Sequence, residues 1–309
     1  MADLAVNLAS LELRSPVLSA SGTFGHGLEM QHISPPAQLG ALVSKTVTRE
    51  PRPGNPAPRI FETEAGFLNS IGLENRGIDA YFAHTLPEVA AADCAIITNI
   101  GGAREEDFVE LARMLNECPE VDALELNLSC PNVQGGKLPF GTEPRIAESV
   151  LRAVRDVTDK PLFAKLSPNV TRISEMARAV EAGGADGVTA VNTLLGMAVD
   201  WRKRAWRLHT KQGGYSGTGI KPVALRCAWE CAQAVDLPVI GCGGIACAED
   251  VLEYLAVGCT AIQVGTASFS DPGLLGRLAG EISELLDEAG FGSVYDVIGS
   301  MDHPQPAGV

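Results

Sequence analysis

The sequence is short of basic charge: 24 Lys and Arg stand against 38 Asp and Glu, for a formal net charge of −14 and a pI near 4.8. Nucleic acids and anionic membranes are engaged through dense Lys/Arg surfaces, so neither is expected as the main partner. No apolar run approaches the roughly 18 residues of a membrane-spanning helix, so no span is expected. The opening MADLAVNLASLELRSPV has no basic segment followed by an apolar core, as a secretory signal would. Eight cysteines are present but no C-x2-C pair, so zinc-ribbon and ferredoxin spacings are missing and no metal site is expected. With 46% hydrophobic and only 20% charged residues, disorder is excluded as well. These absences describe a globular chain with reduced thiols, expected in the cytoplasm.

What is present is a rhythm. Short apolar runs at 16–20, 41–46, 95–100, 123–128, 161–166, 187–191, 238–241 and 260–264 alternate with helical patterns. Several runs are nearly continuous, as in a parallel sheet buried on both faces. Ile146, Val150, Val154 and Val157 form one helical stripe, and Phe108, Leu111, Ala112 and Leu115 form another. A helix over 222–235 starts with Pro222 in its first turn. Eight such units predict an α/β fold, a single (β/α)8 TIM barrel over residues 1–309. A doubly wound sheet is the competitor, weakened by the lack of G-x-G-x-x-G after the first strand. At about 150 residues per domain the length would suggest two domains, but barrels fill 250 or more as one.

Polar residues and glycines gather where each run stops: SASG (19–22), SKT (44–46), TNIGG (98–102), ELNLSCPN (125–132), AKLSPN (164–169), VNT (191–193), GCGG (241–244) and VGT (264–266). In barrels that face carries the active site. Two insertions break the rhythm. Residues 47–94, after the second strand, hold Pro51, Pro53, Pro56 and Pro58 and then GFLNSIGLENRG. Residues 193–221, after the sixth, hold Arg202, Lys203 and Arg204 and then QGGYSGTGIKP. Loops this long in a compact fold are usually functional or disordered, and their Asn, Gly and aromatic content favours function.

Four signals carry chemistry. GCGGI and VGTA, each before a helical pattern, suit a phosphate, because glycines admit it to backbone N–H groups and a helix start adds partial positive charge. The competing reading is tight turns required only by packing. Lys45 and Lys165 end two apolar strands, where a charge needs an anion or a ring acceptor. They suit a cation beside a reduced flavin, a Schiff-base amine as in an aldolase, or a structural pair with a buried carboxylate such as Glu125. Asn69, Asn99, Asn127, Asn132 and Asn192 offer the donor–acceptor edges that a pyrimidine-like ring presents in reverse. A single Asn is more often a turn residue. Cys130 stands just past a strand end, before a Gly/Pro-hinged segment from Pro131 to Gly141 that has the makings of a lid. A thiol there has a reference pKa near 8.5, within reach of general-base work. The other seven cysteines read as small packing residues.

Taken together, SASGTFGHG, NSIGLENRG, ELNLSCPNV, AKLSPNV, NTLLGM, SGTGIKPVALR, GCGGI and VGTA resemble the catalytic subunits of the NAD-dependent, class 1B dihydroorotate dehydrogenases. The resemblance covers essentially the whole chain. It implies an FMN-binding barrel that oxidises (S)-dihydroorotate to orotate in pyrimidine (UMP) biosynthesis, with FMN at the C-terminal face. Cys130 then corresponds to the base at C5, while hydride leaves C6 for the flavin. Flavin contacts are implied at Ser21, Lys45, Thr46, Asn99, Asn127, Lys165, Val191, Gly217, Gly243, Gly244, Gly265 and Thr266. Substrate contacts are implied at Lys45, Asn69, Ser70, Ile71, Gly72, Leu73, Asn127, Asn192 and Thr193, with Asn132 close by. A partner subunit carrying FAD and a 2Fe–2S cluster is implied too, in a heterotetramer of two catalytic and two electron-transfer subunits passing electrons to NAD. Cysteine at position 130 separates the chain from the membrane-associated class, which has serine there. The fumarate-linked class 1A enzymes share the cysteine, and a dihydropyrimidine dehydrogenase-like enzyme would use the same barrel, so both stand as alternatives.

Overall fold

The structure, a computed structural model, describes residues 1–129 and 140–302 of the chain. Cys130 and Asn132 lie outside the described residues, as does most of the 131–141 segment. The eight apolar runs become eight parallel strands: β1 (Val17–Ser19), β2 (Ala41–Val43), β3 (Ala95–Ile100), β4 (Ala123–Asn127), β5 (Leu162–Leu166), β6 (Gly187–Ala190), β7 (Val239–Cys242) and β8 (Ala261–Val264). They close into a barrel in chain order, β8 pairing with β1. Every residue of β4 and of β5 is buried, the polar Glu125, Asn127 and Lys165 included, as in a parallel sheet covered on both faces.

The amphipathic stripes become the outer ring. Helix α1 (Glu105–Asn116) buries Phe108, Leu111, Ala112 and Leu115, and its first turn carries Glu105, Glu106 and Asp107 against the positive end of the helix dipole. Helix α2 (Pro144–Arg155) buries Val150 and Val154, with Ile146 partly buried at the edge of the stripe. Helices α3 (Ile173–Ala182), α4 (Lys221–Ala232), α5 (Ala248–Ala256) and α6 (Leu274–Ala289) complete the long elements, and α4 does begin with Pro222 in its first turn. The barrel register decides which inward side chains can meet. It sets Asn99 opposite Glu125, Asn127 opposite Lys165, Lys165 opposite Thr189, and Cys242 opposite Gln263.

The two insertions are joined. Strands Ile60–Thr63 and Gly66–Asn69 from the first pair with Leu194–Met197 and Gln212–Ser216 from the second in one four-stranded antiparallel sheet. The seam pairs Asn69 with Gly214 and Phe67 with Ser216. Sequence inspection finds two loops here, because GFLN and QGGYS lack the alternation that announces a strand.

Phe108 is fully buried and meets Phe140 edge-to-face, with centroids 5.6 Å apart and planes at 84°. Replacing Phe108 with Ala should cost about 3–5 kcal/mol of stability. Urea unfolding would show it as a lower midpoint with an unchanged m-value.

Candidate active site

A lysine inside an apolar strand is tolerated only if its charge is met. Lys165 on β5 is 4% exposed; its Nζ donates to Gln263 Oε1 at 2.6 Å and lies 3.9 Å from Glu125 Oε1. Glu125, with no exposed surface, accepts from Asn99 Nδ2 at 2.6 Å, Thr189 Oγ1 at 2.8 Å and Gln263 Nε2 at 2.5 Å. The structural pairing of Lys165 with Glu125 is therefore present. From Asn99 the chain of bonds runs on toward the mouth of the barrel. Thr46 Oγ1 donates to Asn99 Oδ1 at 2.6 Å, Asn127 Nδ2 to Thr46 Oγ1 at 3.3 Å, and Asn192 Nδ2 to Asn127 Oδ1 at 3.2 Å. Asn192 is held in turn, since its Oδ1 accepts from the Thr193 N–H at 2.7 Å and its own N–H extends β6 by bonding Leu166 O. Val191 beside it is buried and bonds Cys242 O at 2.8 Å.

Lys45 is different. It is half-buried just beyond β2, and among the described residues no carboxylate lies within 4.0 Å of its ammonium. His26 stands nearby with its pKa held below the ordinary value, chiefly by burial and further by the Lys45 charge, against an upward pull from Glu29.

The run 69–73 comes over the mouth from the insertion sheet. Asn69 Nδ2 donates to Gly214 O at 3.3 Å, Ser70 Oγ accepts from Thr210 at 2.7 Å, and Ile71 O accepts from Asn55 N at 2.9 Å. Gly72 and Leu73 both have positive φ, +78° and +55°, and the Leu73 side chain reaches the end of β3 beside Gly101. Asn69 braces the seam between the insertions, and Asn99 is fully buried against Thr46 and Glu125. Of the described asparagines named from the sequence, Asn127 and Asn192 are the pair joined at the mouth.

The glycine turns after β7 and β8 carry the phosphate reading. Gly243 and Gly244 have φ of +132° and +76°, and a Cβ on either would stand 2.6 Å from a Cβ of α4, that of Ala224 or of Lys221. Both glycines are required by this close approach. Tyr254, fully buried on α5, donates to Gly243 O at 2.7 Å, and burial raises its phenol pKa well above the ordinary value. The start of α5 is capped from within: Asp250 Oδ2 accepts from the N–H groups of Ala246 and Cys247 at 2.7 and 3.2 Å, and Lys221 pairs with Asp250 and Glu253. Any anion binding here falls to the glycine turns, because the N–H groups before α5 are already taken. At the end of β8, Thr266 beside Gly265 donates to Ser216 Oγ at 2.8 Å, which ties that turn to the insertion strand next to Gly217. Ser21 is half-buried at the end of β1.

All seven described cysteines are free thiols, and desolvation pushes every one above its ordinary pKa, Cys94 to about 12. Sequence reasoning misses two groups of the buried layer, Thr189 and Gln263. The available signal is a single polar residue at an inward position of the otherwise apolar runs GVTA and AIQV.

A closed barrel with a bonded set of amides, glycine turns and a lysine that has no carboxylate within 4.0 Å among the described residues has the build of a (β/α)8 barrel enzyme. Residues 3–286 match the family model for dihydroorotate dehydrogenase, and the chain belongs to that family. Among its relatives, the protein of Phocaeicola vulgatus named dihydroorotate dehydrogenase B (NAD(+)), catalytic subunit, is 46% identical over 302 residues, covering 98% of this chain and all of that one. The proteins of the same name from Geotalea uraniireducens and Geobacter sulfurreducens are 48% and 47% identical, each over 97% of this chain and 98% of their own. A crystal structure of the Eimeria tenella dihydroorotate dehydrogenase with ferulenol superposes with a TM-score of 0.81 at 24% identity, over 98% of this chain and 89% of that one, and so shares the fold. Membership of this family implies a flavin cofactor. The residues at the mouth fit one, with the Lys45 ammonium, the Asn127–Asn192 amides, the hydroxyls of Thr46 and Thr266, and the glycine turns.

Tyr254→Phe would leave the Gly243 carbonyl buried without its donor, at about 1–3 kcal/mol. Flavin affinity, read by titrating the apoprotein and following fluorescence quenching, should fall about tenfold.

Proposed function

We propose that this chain oxidises (S)-dihydroorotate to orotate in pyrimidine biosynthesis, with FMN bound at the C-terminal mouth of the barrel. The observation that carries the reading is an ordered amide pair, Asn127 and Asn192, bonded to Thr46, whose neighbour Lys45 has no carboxylate within 4.0 Å of its ammonium among the described residues. That pairing suits a ligand with both a carboxylate and a cyclic imide edge. The near full-length identity with the catalytic subunits supports the same reading.

When bound, FMN supplies a two-electron hydride acceptor. Ser21, Lys45, Thr46, Asn127, Lys165, Val191 and Gly217 would hold its ring and ribityl chain, and Gly243, Gly244, Gly265 and Thr266 its phosphate; Asn99, the further flavin contact that the resemblance implies, acts from behind Thr46, its amide being spent on Glu125 and Thr46. Lys45 meets the substrate carboxylate, and Asn127, Asn192 and Thr193 orient the ring with the run from Asn69 to Leu73, Asn132 being a further substrate contact. Cys130 takes the proton from C5 of dihydroorotate as its C6–H bond gives up hydride. The whole chain acts as one FMN-binding domain. The name of the relatives supports NAD as the final acceptor and a separate electron-transfer subunit. That subunit would carry FAD and a 2Fe–2S cluster, in a cytoplasmic heterotetramer of two subunits of each kind. Among the described residues no helix is long and apolar enough to cross a membrane.

Purified chain should be yellow, and dihydroorotate should bleach it under anaerobic conditions; a colourless protein that neither takes up FMN nor oxidises dihydroorotate would end the proposal. Cys130→Ala should slow flavin reduction on the order of 10²–10⁴-fold in stopped-flow measurements, the range for losing a general base.

Thiolates, not thiols, are alkylated, and burial disfavours the thiolate at all seven described cysteines. Iodoacetamide at pH 8 should therefore label Cys130 first, as read by peptide mass mapping, and orotate should protect it.

A further inference from the structure

The buried carboxylate of Glu125 is an unusual anchor, because every group around it is a donor. Asn99 Nδ2, Thr189 Oγ1 and Gln263 Nε2 all give it hydrogen bonds, and the Lys165 ammonium stands 3.9 Å away. A carboxylate has only acceptors to offer, so its neighbours have no choice of orientation. Asn99 must turn its Nδ2 inward, which leaves Oδ1 facing Thr46. The Thr46 hydroxyl must then donate to Asn99, at 2.6 Å, and its oxygen has only lone pairs left for Asn127. Asn127 in turn must present Nδ2 to Thr46, which sends Oδ1 outward to accept from Asn192 Nδ2. Asn192 completes the sequence with Oδ1 on the Thr193 N–H. On the other side, Gln263 spends Nε2 on Glu125, so its Oε1 is the atom that receives Lys165.

We infer that Glu125 is a positioning residue: it sets the donor–acceptor polarity of the chain Asn99–Thr46–Asn127–Asn192 and thereby decides which edges of Asn127 and Asn192 meet the substrate ring. This rests on the proposed function, in which those two amides bind dihydroorotate. A neutral amide at position 125 would undo the polarity. A glutamine introduced there keeps its oxygen for Thr189 and Gln263, and so turns its own NH₂ toward the Asn99 Nδ2. Relief requires Asn99 to flip, then Thr46 to reverse its hydroxyl, then Asn127 and Asn192 to flip in sequence. The last flip loses the bond from the Thr193 N–H. The ligand meets donors where acceptors stood.

The test is a polarity swap. Glu125→Gln should weaken orotate binding, read from the perturbation of the flavin spectrum, about tenfold or more, the consequence of one mispaired buried hydrogen bond. The KM for dihydroorotate should rise in parallel. When Glu125→Gln is combined with Asn99→Asp, the introduced amide donates to the introduced carboxylate. That carboxylate accepts again from Thr46, and every later bond regains its direction. Orotate affinity should return to within about threefold of wild type, although no carboxylate stands at 125. A buried ion pair serving structure alone predicts no such recovery. Equal orotate affinity in the single variant and the wild type would overturn the inference, and so would a swap as weak as the single variant. If the single variant is not recovered folded, the swap decides alone, by wild-type-like affinity or its loss. Flavin uptake and orotate binding by the wild-type chain test the functional reading separately from this comparison.

Discussion

The burial of two opposite charges in the middle of a closed barrel is the constraint on which the site depends. Glu125 and Lys165 sit on adjacent strands, 0% and 4% exposed, where an isolated charge would cost several kcal/mol. They are tolerated because each is met by hydrogen bonds as well as by the other's field. Glu125, on β4, takes donors from β3, β6 and β8, and Lys165, on β5, reaches β8 through Gln263. These strands are thus tied by side chains across the interior, not only by the backbone ladder around it. A barrel core of Val, Ile and Leu would pack as well, but it would leave the mouth with nothing to orient its amides.

That layer separates the tasks of the two lysines that sequence inspection treats alike. Both end apolar strands, and both suit a flavin, a Schiff base or an ion pair. Lys165 has Gln263 and Glu125, while Lys45 has no carboxylate within 4.0 Å among the described residues. The difference lies in register. Lys165 faces Asn127 and Thr189 across its ladders within the sheet, whereas Lys45 stands two residues past the end of β2. Among the described residues one is an interior charge met by a carboxylate; the other has none, and in the proposed function it meets the substrate carboxylate.

The barrel is legible in the sequence because its signal is simple. Parallel strands covered on both faces are continuous apolar runs, and all eight runs are strands at or within a few residues of their expected limits. The stripes Phe108–Leu115 and Ile146–Val157 are legible for the same reason, since one face of each helix packs on the sheet. The insertion sheet is not. Its seam joins Asn69 to Gly214, 145 residues apart, through glycine-rich strands whose pairing is set by tertiary context and not by pattern. In the site, residue types can be read but partners cannot. Gln263 in AIQV marks an inward polar position, yet nothing local says that it faces Glu125. The glycines after β7 suit a phosphate on sequence alone; the close contact with α4 adds a packing reason that no single sequence displays.

The scarcity of basic residues, which excludes polyanionic partners, does not conflict with a small anionic ligand. The net charge of −14 is spread over the surface, and at physiological ionic strength charges beyond about 8 Å are largely screened. A single ammonium about 4 Å from a carboxylate, at an effective dielectric constant near 20, contributes on the order of 4 kcal/mol. The local interaction therefore outweighs the global one. What the acidic surface does exclude is the class of ligand that must be gripped along its length. Among the described residues Lys165 has Glu125 as its counter-charge and Lys45 has no carboxylate within 4.0 Å, so the proposed binding of a compact anion asks for that one ammonium and not for a basic surface.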